Sequence, residues 1–249
     1  MLAIIGGSGL SQLASLEVAR RQIVRTPYGE PSGPLTFGHL DGGEVVFLAR
    51  HGYGHTLAPH EINYRANLWA LKDRGATRII AVCTVGGIAP GLAAGSLAVP
   101  DQIIDYTWGR ACTYFEGAGQ PVVHADFTHP YCATTRAMLL EAARETGVAV
   151  AGRGTYAAVQ GPRLETAAEI NRLERDGADL VGMTGMPEAA LARELGVPYA
   201  ALAVVANPAA GRGTSAQAVS LEEISRTLKE AMGRVRLVLE KVVERHGRA

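Results

Sequence analysis

The stretch LAIIGGSG, residues 2–9, decides the fold class, because a short apolar run ends there in a turn of three glycines. Further short runs rich in Val and Ile recur along the chain, and longer amphipathic stretches lie between them. This alternation is typical of a β-sheet covered by helices. We therefore predict an α/β fold, and the length of 249 residues fits a single domain over residues 1–249.

The apolar runs and amphipathic stretches give definite candidate elements. Strands are expected at residues 2–5, 44–49, 78–84, 97–104, 154–159, 180–183 and 199–206. Helices are expected at about residues 60–74, 131–146, 166–176, 187–195 and 220–245. Pro187 suits a first helical turn, Ser220 with Glu223 has the spacing of a capping box, and four glycines fit C′ positions: Gly75, Gly147, Gly177 and Gly196.

The amino-acid composition indicates which class of ligand and which cellular compartment to expect. The 24 basic and 24 acidic side chains cancel, and no long run of like charge is present, so a nucleic-acid or membrane-surface partner is not expected. The three cysteines have no C-x-x-C spacing, which argues against a disulfide framework or a zinc site. No basic n-region precedes the apolar stretch after Met1, and no run of 18 apolar residues occurs, so neither a signal peptide nor a membrane-spanning segment is expected. We expect a cytoplasmic protein with a small neutral or mildly anionic ligand.

Polar residues follow several predicted strands. Ser8 lies among glycines after the first strand, Arg50 and His51 follow the strand at 44–49, and Thr84 ends the strand at 78–84. Open α/β sheets bind ligands beyond the carboxyl ends of their strands, and these groups suit an oxyanion. Each also has a structural alternative, since tight turns, surface arginines and hydrogen-bonded turn histidines are common.

The last predicted strand ends on Asn207 and Pro208, in the stretch ALAVVANPAAG, residues 201–211. A carboxamide at a strand end can contact a ligand. It can equally begin a turn, because Asn before Pro favours turns.

The motifs IIGGSGL, LARHGYGHT, INYRANLWALK, QGPRLET and GMTGMPEAALARE follow one another along the chain. In order and spacing they resemble the trimeric purine nucleoside phosphorylases, most closely the methylthioadenosine phosphorylase branch. The resemblance implies a central mixed β-sheet, a homotrimer, and reversible cleavage of a purine nucleoside by inorganic phosphate as co-substrate, with no metal or organic cofactor.

The resemblance also assigns site residues. The phosphate site would comprise Ser8, Arg50, His51, Thr84, Val85 and Thr184. Met183 would lie beside the ribose, and Leu164, Val181 and Ala209 would line the nucleoside pocket. His124 would reach the neighbouring subunit's site near the 5′ substituent.

Asn207 matches the position of an aspartate in the methylthioadenosine branch. Bond cleavage leaves negative charge on the departing purine, which the protein must stabilise at N7 and at the 6-substituent. A departing hypoxanthine offers one acceptor and one donor, which suit a carboxamide, whereas adenine offers two donors. Glu165 agrees, because it matches a glutamate that accepts N1–H in 6-oxopurine phosphorylases. The alternative is that Glu165 is a solvated acid in the first turn of a helix.

At the 5′ end, Leu221 stands where ordinary members of the family have a histidine, and Ile224 lies one turn on. An apolar residue suits a methylthio group better than a hydroxyl. The alternative is that Leu221 belongs to the core. The resulting hypothesis is phosphate-dependent cleavage of S-methyl-5′-thioinosine to hypoxanthine and 5-methylthioribose 1-phosphate. A methylthioadenosine phosphorylase, a general 6-oxopurine nucleoside phosphorylase and a non-catalytic purine-nucleoside sensor are the competing possibilities.

Overall fold

The computed structural model describes residues 1–10, 13 and 15–247. Within this part of the chain, eleven strands form one mixed sheet, and five α-helices pack against it. The strands are β1 Leu2–Gly6, β2 Glu17–Gln22, β3 Leu35–Leu40, β4 Gly43–Ala49, β5 Arg78–Gly87, β6 Leu97–Ala98, β7 Gln102–Asp105, β8 Val150–Ala151, β9 Thr155–Ala158, β10 Leu180–Gly182 and β11 Tyr199–Pro208. The helices are α1 Tyr64–Asp73, α2 Ala133–Glu145, α3 Ala167–Arg175, α4 Gly185–Glu194 and α5 Leu221–Gly247. The prediction of an α/β fold with a mixed sheet is confirmed.

The sheet divides at β5. Along one edge, the first part of β5 pairs in parallel with β1 and its last part pairs antiparallel with β10. Parallel β11 occupies the other edge of β5 over the whole length from Ile79 to Gly87. The carboxyl ends of β1 and β10 therefore approach each other from opposite directions at the level of Thr84. This gap between the two strand ends positions the site described below.

Helices cover both faces of the sheet. Buried residues of α1 and α4 pack with one face, and buried residues of α2 and α5 pack with the other. A smaller cluster holds α3 through Ile170 and Leu173. Because α5 contributes five fully buried side chains to its face (Ala231, Val235, Val238, Leu239 and Val242), it is firmly anchored beside the sheet.

The strand prediction was wrong in four regions. The expected strand at 97–104 is two short strands on either side of Pro100, and they pair with different neighbours: β6 with β11 and β8, and β7 with β9. Proline cannot donate to a ladder and commonly interrupts a strand. The edge strand β2 was not expected, since its sequence EVARRQ is charged and largely exposed and so lacks an apolar pattern. Strands β3 and β8 were also missed.

Most helix-end signals are confirmed. The four predicted C′ glycines have φ between 66° and 92°: Gly75, Gly147, Gly177 and Gly196. Ser220 Oγ accepts from the N–H of Glu223 at 3.2 Å. The regular part of α4 begins at Pro187, after Met186 in extended conformation with φ −121° and ψ 141°.

Candidate active site

A cavity of about 490 Å³ opens at the gap between β1 and β10. All but one of the site residues predicted from the sequence line it: Ser8, Arg50, His51, Thr84, Val85, Leu164, Glu165, Val181, Met183, Thr184, Asn207, Ala209, Leu221 and Ile224. The exception is His124, which is exposed and does not line this cavity. The structure thus brings together residues from the ends of five strands, from the loop that precedes α3 and from the first turn of α5.

The glycine-rich loop after β1 forms one wall and requires its glycines. A Cβ on Gly7 would lie 2.6 Å from the carbonyl oxygen of Val82 and 2.9 Å from Nη1 of Arg50. The loop can therefore approach β5 only without side chains at this position. Thr84 Oγ1 donates to the Ser8 carbonyl at 2.9 Å and fixes the loop against β5.

Arg50 is fully buried beneath this loop and forms an ion pair with Glu188. Its Nε and Nη2 donate to the two carboxylate oxygens at 2.7 and 2.9 Å, and its Nη1 donates to the Val82 carbonyl at 3.0 Å. Tyr199 also donates to Glu188, at 2.8 Å. Although burial opposes the charge, Glu188 raises the pKa of Arg50 well above its ordinary value. Arg50 is thus a permanent positive charge, with most of its donors used inside the protein.

His51 is held by a single defined hydrogen bond. Its Nδ1 lies 2.8 Å from the Leu57 carbonyl, which can only accept, so Nδ1 carries the proton. Burial and the charge of Arg50 lower the pKa of His51 to about 4, despite the opposing bond to Leu57. At neutral pH the ring is uncharged, and its Nε2 is an acceptor suited to a protonated phosphate oxygen.

His55 is a second histidine at this wall, and it was not among the predicted site residues. Its ring lies 4.3 Å from that of His51, and its Nε2 is 3.4 Å from Oγ of Ser8. It belongs to the motif LARHGYGHT, so its position in that motif was the available signal. Glu188 was also missed, because its partner Arg50 is 138 residues away in the sequence.

A β-bulge in β11 re-aims Asn207. Val205 pairs with Val85 and Asn207 with Gly86, so Ala206 is an extra residue in the ladder. The Asn207 side chain lines the cavity, and its Nδ2 donates to the carbonyl oxygen of Pro208 at 2.6 Å. That contact decides which end of the amide is the donor. One N–H of Nδ2 and the oxygen Oδ1 remain for a ligand.

Glu165 is not in the first turn of a helix. Thr166 is the N-cap of α3 and forms a capping box with Glu169, so Glu165 precedes the helix. Its side chain is partly buried against the cavity, and burial raises its pKa above the ordinary value. The solvated first-turn acid considered above is therefore wrong. A desolvated carboxylate favours a donor from a ligand.

The far end of the cavity is apolar. Leu221 is 72% exposed and begins α5, with Ile224 one turn on and the buried Leu228 behind it. The alternative that Leu221 is a core residue is wrong. An exposed leucine lining a cavity offers its surface to whatever occupies that cavity.

Two further observations bear on ligands. No helix in the described part of the chain has the length and apolarity needed to cross a membrane. Among the same residues, His, Cys, Asp and Glu side chains do not gather in groups of three or more that could hold a metal ion. The prediction that the reaction uses no cofactor stays a prediction.

Sequence and structure comparisons agree on one family. A model of the phosphorylase superfamily matches residues 1–244. A protein of Pseudomonas syringae pv. tomato named probable S-methyl-5′-thioinosine phosphorylase is 52% identical over 241 residues, which are 97% of each chain. A protein of the same name from Xanthomonas campestris pv. campestris is 57% identical over 90% of this chain and 89% of its own length. The structure of methylthioadenosine phosphorylase from Schistosoma mansoni in complex with adenine superposes with a TM-score of 0.96 at 32% identity, covering 100% of this chain and 92% of that one.

Proposed function

The chain belongs to the phosphorylase superfamily, and from this premise we propose that it is a purine nucleoside phosphorylase acting on S-methyl-5′-thioinosine. The reaction breaks the bond between ribose C1′ and purine N9 and forms a bond between C1′ and a phosphate oxygen. The products are hypoxanthine and 5-methylthioribose 1-phosphate. The enzyme is thus a pentosyltransferase.

The hydrogen bond that Asn207 Nδ2 donates to the Pro208 carbonyl determines which purine base the amide prefers. It leaves one N–H and one carbonyl oxygen of the amide facing the cavity. The N–H complements O6 of hypoxanthine, and Oδ1 complements a proton at N7. The amino group of adenine would meet the amide N–H instead, as donor against donor. A 6-oxopurine therefore fits this amide and a 6-aminopurine does not.

Glu165 supports the same choice from the other edge of the base. Its carboxylate accepts, and N1 of hypoxanthine carries a hydrogen, whereas N1 of adenine has none. Hypoxanthine departs with a proton at N7, which solvent supplies and which balances the proton that the phosphate O–H group gives up. As electron density moves from the sugar to the purine, the Asn207 N–H binds O6 more strongly, and Oδ1 accepts from the new N7–H. Such interactions lower the barrier because they strengthen in the transition state.

The cavity wall that contains the glycine-rich loop suits phosphate. Backbone N–H groups of the glycine loop, the Thr184 hydroxyl and the Val85 N–H would bind its oxygens, and His51 Nε2 would accept from its O–H group. Thr84, whose hydroxyl donates to the Ser8 carbonyl, would position the loop for this contact. The buried Arg50 supplies positive charge from beneath the loop. A purine sensor would not require these groups, which favours an enzyme.

The apolar end selects the 5′ substituent. Leu221 and Ile224 present hydrocarbon where a 5′-hydroxyl would need a partner. A methylthio group gains apolar contact there, whereas these side chains offer a hydroxyl no hydrogen-bond partner. This end of the cavity separates the proposed substrate from inosine, for which Asn207 and Glu165 are equally suited.

We further propose a homotrimer in the cytoplasm, with nucleoside and inorganic phosphate as its small-molecule partners. His124 would then lie near the 5′ substituent in the neighbouring subunit's site, which agrees with its exposure and with its absence from the lining of the cavity of its own chain.

The experiment is purine release from methylthioinosine, methylthioadenosine and inosine, each with and without inorganic phosphate. We expect phosphate-dependent release, fastest from methylthioinosine. Preference for methylthioadenosine would refute the reasoning on Asn207 and Glu165, and preference for inosine would refute that on Leu221. Release without phosphate would indicate a hydrolase, and no release from any nucleoside would favour a sensor.

A further inference from the structure

Arg110 does not line the cavity, yet its guanidinium group joins two segments that lead into it. Its Nη1 donates to the carbonyl oxygens of Met183 at 2.8 Å and Met186 at 2.6 Å. Its Nη2 donates to those of Val159 at 3.3 Å and Gln160 at 2.8 Å, and its Nε donates to Oε1 of Gln160 at 3.2 Å. A guanidinium has five N–H groups. The protein therefore supplies an acceptor for each of them.

Each of the two segments carries part of the proposed site. Gln160 precedes Gly161, with φ +63°, and the loop that ends at Glu165. Met183 and Met186 enclose Thr184 at the beginning of α4. Arg110 thus connects the wall that would hold the purine edge to the wall that would hold ribose and phosphate.

The groups that surround the Arg110 side chain fit a guanidinium. The Tyr64 hydroxyl on α1 lies 3.3 Å from Nη1, and the Tyr64 ring centroid is 5.6 Å from the guanidinium carbon. The acceptors converge on one planar group from two loops, and four of them are backbone carbonyls. A lysine ammonium has three donors on one atom and cannot reach these oxygens together.

We propose that Arg110 is a positioning residue of the phosphorolysis reaction. It fixes the distance between Glu165 and the pair Met183 and Thr184, so that base and ribose are held together in the geometry of bond cleavage. This inference rests on the proposed function. Displacement of a reacting group by about 1 Å can lower a rate about 100-fold, so a residue outside the cavity can have this effect.

Arg136 provides a matched control. It is also partly buried, and it also donates to backbone carbonyls of separate segments: Pro100 at 2.9 Å, Gly152 at 2.5 Å and Val99 at 3.4 Å. None of these residues lines the cavity. We expect Arg110→Met and Arg110→Lys to lower kcat/KM by about 10- to 100-fold. Arg136→Met should leave it within about two-fold, even if the two methionine variants lose similar thermal stability.

A double-mutant cycle separates positioning from general structural damage. If Arg110 acts through the placement of Glu165, then Glu165→Gln adds little to the loss caused by Arg110→Met, and the double variant resembles the worse single variant. Glu165→Gln combined with Arg136→Met should be additive. If Arg110→Met does not fold, the same cycle is run with Arg110→Lys.

The outcomes distinguish the two proposals. Wild-type enzyme that cleaves none of the three nucleosides overturns the proposed function. If the wild type is active, two results overturn only the positioning role. One is an additive double-mutant cycle, and the other is activity of both Arg110 variants within about two-fold of wild type. Equal losses in Arg110→Met and Arg136→Met would also overturn it.

Discussion

Asn207 donates through Nδ2 to the carbonyl oxygen of the next residue, Pro208, at 2.6 Å. An aspartate at this position would place a second acceptor against that carbonyl and would have no donor for O6. Asn207→Asp should therefore lower kcat/KM for methylthioinosine by at least about 100-fold, because buried polar groups are left unpaired. The ratio of methylthioadenosine to methylthioinosine cleavage should rise. Asn207→Ala is the control, and it should lower kcat/KM for both substrates without raising this ratio. An unchanged ratio in Asn207→Asp would refute the role of Asn207.

Glu165 should control the acidic side of the pH profile. Its pKa is raised by burial, so its carboxylate takes up a proton at a higher pH than an exposed glutamate does. As the pH falls through this raised pKa, the charged acceptor for N1–H is replaced by a weaker neutral one, and kcat/KM for methylthioinosine falls. Glu165→Gln should lower kcat/KM by about 10-fold at neutral pH and remove this acidic decline. Methylthioinosine methylated at N1 is the control substrate, which should not distinguish the two enzymes.

The central strands could be predicted from the sequence because most of their residues are buried, and their apolar runs end at glycines or polar residues. The edge strand β2 could not, since a strand exposed to solvent on both faces has no apolar periodicity. Pro100 is the sequence signal that divides residues 97–104, because proline cannot donate a hydrogen bond to a β-ladder.

The candidate site could be predicted only in part. Local chemistry at strand ends identified Ser8, Arg50, His51 and Thr84, and the family resemblance added others. The sequence gives no local signal that β10 runs antiparallel to β5. This direction brings Met183 and Thr184 to the end of β1. Long-range partners such as Glu188 and Arg110 were missed for the same reason, because each acts through contacts distant in sequence.

Glu188 should be required for stability as well as for the position of Arg50. Both side chains are fully buried, so Glu188→Gln leaves the guanidinium charge without its counter-ion. Removal of one partner of a buried ion pair lowers the free energy of unfolding by about 3–5 kcal/mol. Urea denaturation measures this loss. Arg153→Met is the control, because Arg153 is 89% exposed in its pair with Asp101, and it should have an effect within about 0.5 kcal/mol.

His51 should make the protein less stable in mild acid. Its pKa is about 4 in the folded state and about 6.5 when unfolded, so the unfolded chain binds more protons between these values. Stability therefore decreases as the pH falls from 6.5 towards 4. His51→Gln should remove about 3 kcal/mol of this decrease, as measured by urea unfolding at several pH values. The same substitution at the exposed His39 should leave the pH dependence unchanged, and an equal effect at both positions would contradict the prediction.

Leu221→His should change the preference at the 5′ end. Leu221 is 72% exposed and lines the cavity, so the substitution alters the ligand's surroundings with little effect on the core. The imidazole offers a hydrogen-bond partner to a 5′-hydroxyl and gives a methylthio group less apolar surface to pack against. The ratio of kcat/KM for inosine to that for methylthioinosine should rise by about 10-fold or more, because both effects favour inosine. Leu237→His, at an exposed leucine elsewhere on α5, is the matched control and should leave the ratio unchanged. If both variants keep the wild-type ratio, Leu221 does not contact the 5′ substituent.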